Sequence, residues 1–202
     1  MPEINPFLIL FAAIFTSNIL LSSFLGMCSF IAISRNLKAS LGLGIAVTFV
    51  TTATSVINWL LNEYLLKPGL LNFGFDLQYL QFIIFIIVIA AFVQFVEMFL
   101  EKFSPFLYST LGIFLPLITV NCAILGVCLF MIIRKYSLLQ TLAFGLGSGL
   151  GWFLAIVLMA GIQLKLRFSN TPAPMKGFGI VMITTGIMAM AFMGFAGMAV
   201  IQ

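Results

Sequence analysis

Six apolar stretches follow one another with only short breaks between them, near residues 7–33, 40–66, 78–100, 104–133, 138–164 and 177–200. A helix needs about 20 residues to cross roughly 30 Å of hydrocarbon, and each stretch supplies at least that many. The chain carries nine Lys and Arg and five Asp and Glu in 202 residues, with 63% hydrophobic residues. So few charges cannot cover the surface of a soluble fold. An all-α integral membrane protein of six transmembrane helices is therefore expected, as one membrane domain over residues 1–202. The first stretch is longer than the apolar core of a signal peptide and lacks a basic leader, so it is expected to stay in the mature protein. The linkers leave no room for a soluble catalytic domain.

Composition also excludes chemistry. The chain has no His, so it has no imidazole base, no Ser-His-Asp triad and no His-ligated zinc site. The net charge of +4 is scattered, which suits membrane loops better than nucleic acid. No phosphate-binding glycine loop or dinucleotide fingerprint is present. Gly42, Gly44, Gly145, Gly147, Gly149 and Gly151 sit inside apolar stretches, where close helix packing explains them better. The longest breaks are Lys67 to Leu77, with Pro68, Gly69, Gly74 and Asp76, and Arg167 to Gly177, with Pro172 and Pro174. The loops after stretches one, three and five hold Arg35, Lys38, Lys102, Lys165, Arg167 and Lys176, six cations. The other face holds three, Lys67, Arg134 and Lys135. The positive-inside rule makes the six-cation face cytoplasmic and places both termini outside.

Stretches one and four resemble each other. Ser17, Asn18, Ser22 and Ser23 precede Cys28, and Pro116 and Asn121 precede Cys122. An apolar run, a basic loop and a glycine-rich helix beginning Gly-Leu-Gly follow each Cys. The chain reads as three helices plus three, pseudo-repeats over about 1–102 and 103–202, with the second half inserted in the opposite sense as in inverted-repeat transporters. As continuous helices, stretches one and four would measure about 40 and 45 Å, longer than the hydrocarbon is thick. Either they tilt or each is broken partway with its irregular backbone buried in protein. If both are broken, Cys28 and Cys122 reach similar depth near the middle of the bilayer.

Three readings of these Cys are open: small buried hydrophobes, a disulfide, or two thiolates of a tetrahedral sulfur site for iron or an iron–sulfur cluster. The last requires two more thiolates from another chain, most simply a homologous one. Cys128 lies about 240° around a helix from Cys122 and is read as packing.

The segments "FLGMCSF", "GLGIAVTFV", "LGIFLPLITVNCAI", "FGLGSGLGW", "TPAPMKG" and "MAMAFMGFAGM" resemble, over nearly the whole chain, the E-subunit family of the bacterial sodium-translocating NADH:quinone reductase. This family belongs to the wider Nqr/Rnf group, and the A subunit of the Rnf ferredoxin:NAD oxidoreductase is the alternative. The resemblance implies a multi-pass protein of the bacterial inner membrane, paired with the homologous six-helix D subunit of the same complex. It implies that Cys28 and Cys122 hold part of a shared iron or 2Fe–2S centre, and that Na+ is exported as electrons pass from NADH to quinone. FMN, FAD, riboflavin and quinone are expected on partner subunits, and no residue of this chain is assigned a catalytic role.

Glu97, with Gln94 nearby and Glu101 and Lys102 one turn later, is either a snorkelling interfacial acid or a cation-entry site. The resemblance implies sodium uptake there. Glu63 and Asp76 lie in or beside the opposite loop. Met188, Met190, Met193 and Met198, beside Gly186, Gly194 and Gly197, suggest helix packing rather than a soft-metal site. Asn18, Asn58, Thr119 and Asn121 read as interhelical hydrogen-bonding groups, the last two close enough to Cys122 to tune a metal. Two rivals are a redox-inert secondary transporter and a scaffold that anchors partners.

Overall fold

The computed structural model describes residues 5–66, 78–103, 115–168 and 177–196. Among them every regular element is helical: α1 (Pro6–Ile14), α2 (Met27–Ile33), α3 (Leu37–Leu61, continued by a π-helical turn Asn62–Leu66), α4 (Gln78–Phe103), α5 (Leu115–Thr119), α6 (Cys122–Ile133), α7 (Leu138–Leu166) and α8 (Phe178–Ala196). Among the described residues, five stretches are long and apolar enough to cross a membrane: Leu37–Tyr64, Gln81–Phe99, Pro116–Ile133, Leu138–Leu166 and Phe178–Phe195. The first expected span is not among the five because it is divided into helices of nine and seven residues. The prolines and acid of the two long breaks, Lys67, Lys176 and Met198 lie outside the described residues.

Helix α7 is the centre of the bundle. It opens on a capping box in which Ser137 and Gln140 exchange side-chain-to-backbone hydrogen bonds, satisfying amides that the first turn leaves free. Its glycines divide between two neighbours because a two-residue step turns the helix by about 200°. A Cβ on Gly147 would lie 2.8 Å from the Leu10 carbonyl oxygen of α1, and one on Gly149 would lie 2.8 Å from Thr48 Cα of α3. Only hydrogen fits at these approaches, and small residues let membrane helices dock backbone to backbone. The packing expected of these glycines is present.

The contacts fix directions. Gly149 faces Thr48, and Gly145 faces Ser55 and Thr52, so α3 and α7 are antiparallel. Gln81 of α4 donates to Asn62 at 3.5 Å and Phe92 stacks near Phe49, so α4 runs opposite to α3. The first segment runs along α7 in the same sense. Leu10 meets Gly147, Asn18 reaches Gly151, and Gln163 donates to Ser34 at 2.6 Å. From 147 to 163 is about 24 Å of helix rise, so the divided segment follows α7 over most of a bilayer's depth.

The break in this segment is built by its polar residues. Asn18 Nδ2 donates to the carbonyls of Ile14 and Gly151, and its Oδ1 accepts from the amides of Leu20 and Leu21. One side chain thus replaces helical hydrogen bonds that hydrocarbon cannot offer. Phe24 at φ 54° and Gly26 at φ 83° then turn the chain into α2. The second break follows Thr119, and Asn121 caps α6 by accepting from the Ala123 amide at 3.0 Å. The first segment is therefore divided rather than merely tilted, and the described part of the fourth, residues 115–133, leaves regular helix at residues 120–121.

Candidate functional site: the paired cysteines

Both breaks lie just ahead of a cysteine. Cys28 is the second residue of α2 and Cys122 the first of α6. The Gly26 amide donates to Cys122 Sγ at 2.9 Å. Asn121 Nδ2 donates to Ser29 Oγ at 3.3 Å, and that hydroxyl donates to the Gly26 carbonyl at 3.1 Å. The two cysteine-bearing helices therefore start from one place. They leave it in opposite directions: α2 runs to the end where Arg167 donates to the Arg35 carbonyl, and α6 to the end where Trp59 donates to the Tyr136 carbonyl. The site lies at mid-bundle.

Two helix N-termini facing each other present free amides and positive dipole ends to the same point. Sulfur is a donor suited to iron and other soft or borderline metals. Cys28 and Cys122 are both exposed on this chain, whereas Cys128 is fully buried with its sulfur accepting from Asn58 Nδ2 at 3.2 Å. All three are free thiols. The small-buried-hydrophobe reading therefore fits Cys128 and neither of the other two. Phe24 and Val120, 56% and 80% exposed, flank the pair together with exposed Ser22 and Ser23, so the site opens on the side of the bundle. Among the described residues no group of three or more Cys, Asp or Glu could hold a metal ion.

Gly26 and Trp152 are site residues that the sequence reading missed. A Cβ on Gly26 would stand 2.6 Å from Trp152 Nε1 and 3.0 Å from both Ala123 Cβ and Asn121 Oδ1. The left-handed backbone and this crowding both select glycine. Gly26 is visible in "FLGMCSF", but Trp152 lies 126 residues further along the chain and no local signal connects them. Asn18, Asn58 and Asn121 do join separate elements, as read from their polarity.

Glu97 is half-buried on α4, away from the cysteines in sequence, with Gln94 exposed one turn earlier and Glu101 and Lys102 exposed at the helix end. Glu63 is half-buried in the π-helical turn at the opposite end, and Asp76 lies outside the described residues. The methionine helix differs from its expectation. Met188 is buried, but Met190 and Met193 are 67% and 69% exposed, and a Cβ on Gly186 or Gly194 would meet nothing within 4 Å. The close approach expected of α8 is not made among the described residues.

The model of the Rnf-Nqr subunit family of membrane proteins matches residues 6–199. The chain belongs to the Rnf-Nqr family. Among its Rnf-Nqr relatives, a protein of Aeromonas salmonicida (strain A449), named as the E subunit of the Na(+)-translocating NADH-quinone reductase, is 52% identical over 191 residues, 95% of this chain and 96% of the relative. Proteins of the same name from Psychrobacter sp. (strain PRwf-1) and Serratia proteamaculans (strain 568) are 48% and 51% identical, covering 93% and 92% of this chain and 95% and 93% of their own lengths.

Proposed function

We propose that this chain is the E-type membrane component of a sodium-translocating NADH:quinone reductase, without a complete active site of its own. The near-full-length identity to proteins of that name supports the assignment. Within it, Cys28 and Cys122 supply two of four sulfur ligands to an iron or 2Fe–2S centre, and the homologous D-type protein of the complex supplies the others. The observation that carries this reading is the pair of free, outward-facing thiols at the meeting point of two opposed half-helices. The donor chemistry fits. Sulfur is the ligand iron–sulfur centres use, and the Gly26 amide is already directed at one sulfur, as second-sphere N–H groups are in such sites. Bound there, iron would supply one-electron chemistry midway across the bilayer.

The exposed break argues for the partner. Non-helical backbone at mid-membrane depth is tolerated only against protein or water, and residues 22–24 lie on the flank of this chain. A second protein covering that flank would shield the backbone and complete the ligand set. The opposed directions of α2 and α6, and of α3 and α7, support a six-span fold of two inverted halves in the bacterial inner membrane, with the divided first segment as its first span. NADH, the flavins and quinone then bind on other subunits, and Glu97 is the proposed Na+ entry acid.

Divided helices also serve secondary transporters, so iron content is the deciding measurement. Cys28→Ser and Cys122→Ser, in the purified complex, are expected to lose membrane-bound iron and quinone reductase activity while the subunits stay assembled. Cys128→Ser keeps both. Full iron in the first two variants would reject the ligand assignment and leave the transporter reading standing.

A further inference from the structure

The buried polar side chains are satisfied unevenly along the bundle. From mid-bundle toward the Arg35 end, Asn18, Ser29, Ser34, Ser40 and Gln163 all make hydrogen bonds. Four buried atoms have no partner among the described residues: Asn58 Oδ1, Thr141 Oγ1, Ser148 Oγ and Trp152 Nε1. Their residues are at most 1% exposed. Three lie on α7, where 141, 148 and 152 fall within about 40° of one another at 100° per residue. The stripe they form is about 17 Å long and includes Gly145. Gly145 faces Ser55, so one turn further along these antiparallel helices Asn58 stands at the level of Thr141. Asn58 also touches Cys128 of α6. By helical register the four atoms fall along the side of α7 next to its seam with α3 and α6. It begins one turn inside the Tyr136 end and finishes at Trp152, whose indole nitrogen lies against Gly26 at the level of the cysteines.

We propose that this seam binds a file of water molecules, entered from the Tyr136 end and closed at the cysteine level. The chemistry of the four atoms selects the occupant. A carboxamide oxygen only accepts, an indole N–H only donates, and the hydroxyls do both; water, with two of each function, can join all four. A bare cation would suit the oxygens and be repelled by the indole N–H. Hydroxyls turned back onto carbonyls of their own helix would leave Asn58 and Trp152 still unpaired. The file gives the middle of the bundle contact with solvent on one side only, so protons and reorienting dipoles could answer a charge change at the thiols from that side alone. This inference does not depend on whether the cysteines hold iron.

Radiolytic hydroxyl labelling of the purified complex in 18O-water, read by mass spectrometry, tests it. Bound water generates radicals where it sits, so Trp152 should be oxidised although it is fully buried. Met159 is the internal control: it is also fully buried and lies seven residues further along the same face of α7, beyond the end of the seam, where its sulfur accepts from Thr184 Oγ1. Corrected for intrinsic reactivity, Trp152 is expected to label at least about threefold faster than Met159, and a Thr141→Val, Ser148→Ala double substitution should bring it down toward the control. Labelling of Trp152 no faster than Met159, or labelling unchanged by the double substitution, overturns the proposal. The wild-type comparison stands by itself if the double variant does not fold.

Discussion

A glycine two positions before a cysteine holds the two halves of the site together. Gly26 turns the chain through φ 83°, directs its amide at Cys122 Sγ and leaves room for Trp152 and Asn121 where a side chain would project. Gly26→Ala therefore meets two penalties, a left-handed backbone that L side chains resist and an overlap with indole nitrogen. We expect a loss of about 2 kcal/mol or more of stability, read as a lowered thermal midpoint of the purified complex. Ser22→Ala, at an exposed position in the same break, is expected to change the midpoint little. If both substitutions behave alike, Gly26 is an ordinary turn residue. What "FLGMCSF" could reveal was that something small stood beside Cys28. What that smallness accommodates comes from α7 and could be known only from the fold.

At the scale of elements, length and polarity disagreed with a simple span and left two readings, tilt or division. Stretches of 27 and 30 apolar residues exceed the bilayer, and Asn18 and Asn121 stand near the middle of them. How the breaks are satisfied was not legible, since Asn18 bonds a carbonyl 133 residues away. The glycines show the same division. Those of α7 and α8 look alike in sequence, yet Gly149 is pressed against Thr48 Cα while Gly186 meets nothing within 4 Å among the described residues. Packing geometry, not composition, separates them, and the two helices should respond oppositely to one added methyl. Gly149→Ala forces α3 and α7 apart and is expected to destabilise by about 1–3 kcal/mol. Gly186→Ala, with open space and better helix propensity, is expected to be neutral or to stabilise by up to about 1 kcal/mol. Thermal unfolding of each single variant in the same detergent measures the contrast, and equal losses would mean that a partner helix fills the space beside Gly186.

At the scale of the whole molecule, the grouping of cations was readable because they stay at the ends of spans, where they remain solvated. The structure groups them as the loop count did. Arg167 reaches the Arg35 carbonyl, and α4, antiparallel to α3, carries Lys102 to that same end; Arg134 and Lys135 lie by Trp59 at the other. Among the described residues the division is five cations, Arg35, Lys38, Lys102, Lys165 and Arg167, against two. An excess of this sign holds an end in the cytoplasm because translocating Lys or Arg across the hydrocarbon is costly. On the proposed orientation the Tyr136 entrance of the seam faces outward. Alkaline phosphatase, which matures only outside the cytoplasm, reports this directly when fused to a truncated chain. Fusion after Lys135 is expected to be active and fusion after Arg167 inactive, with a difference of at least about tenfold in cell-normalised activity. The opposite pattern would invert the molecule. The seam would then open toward the cytoplasm, and any charge compensation it provides at the cysteines would be drawn from the inner side.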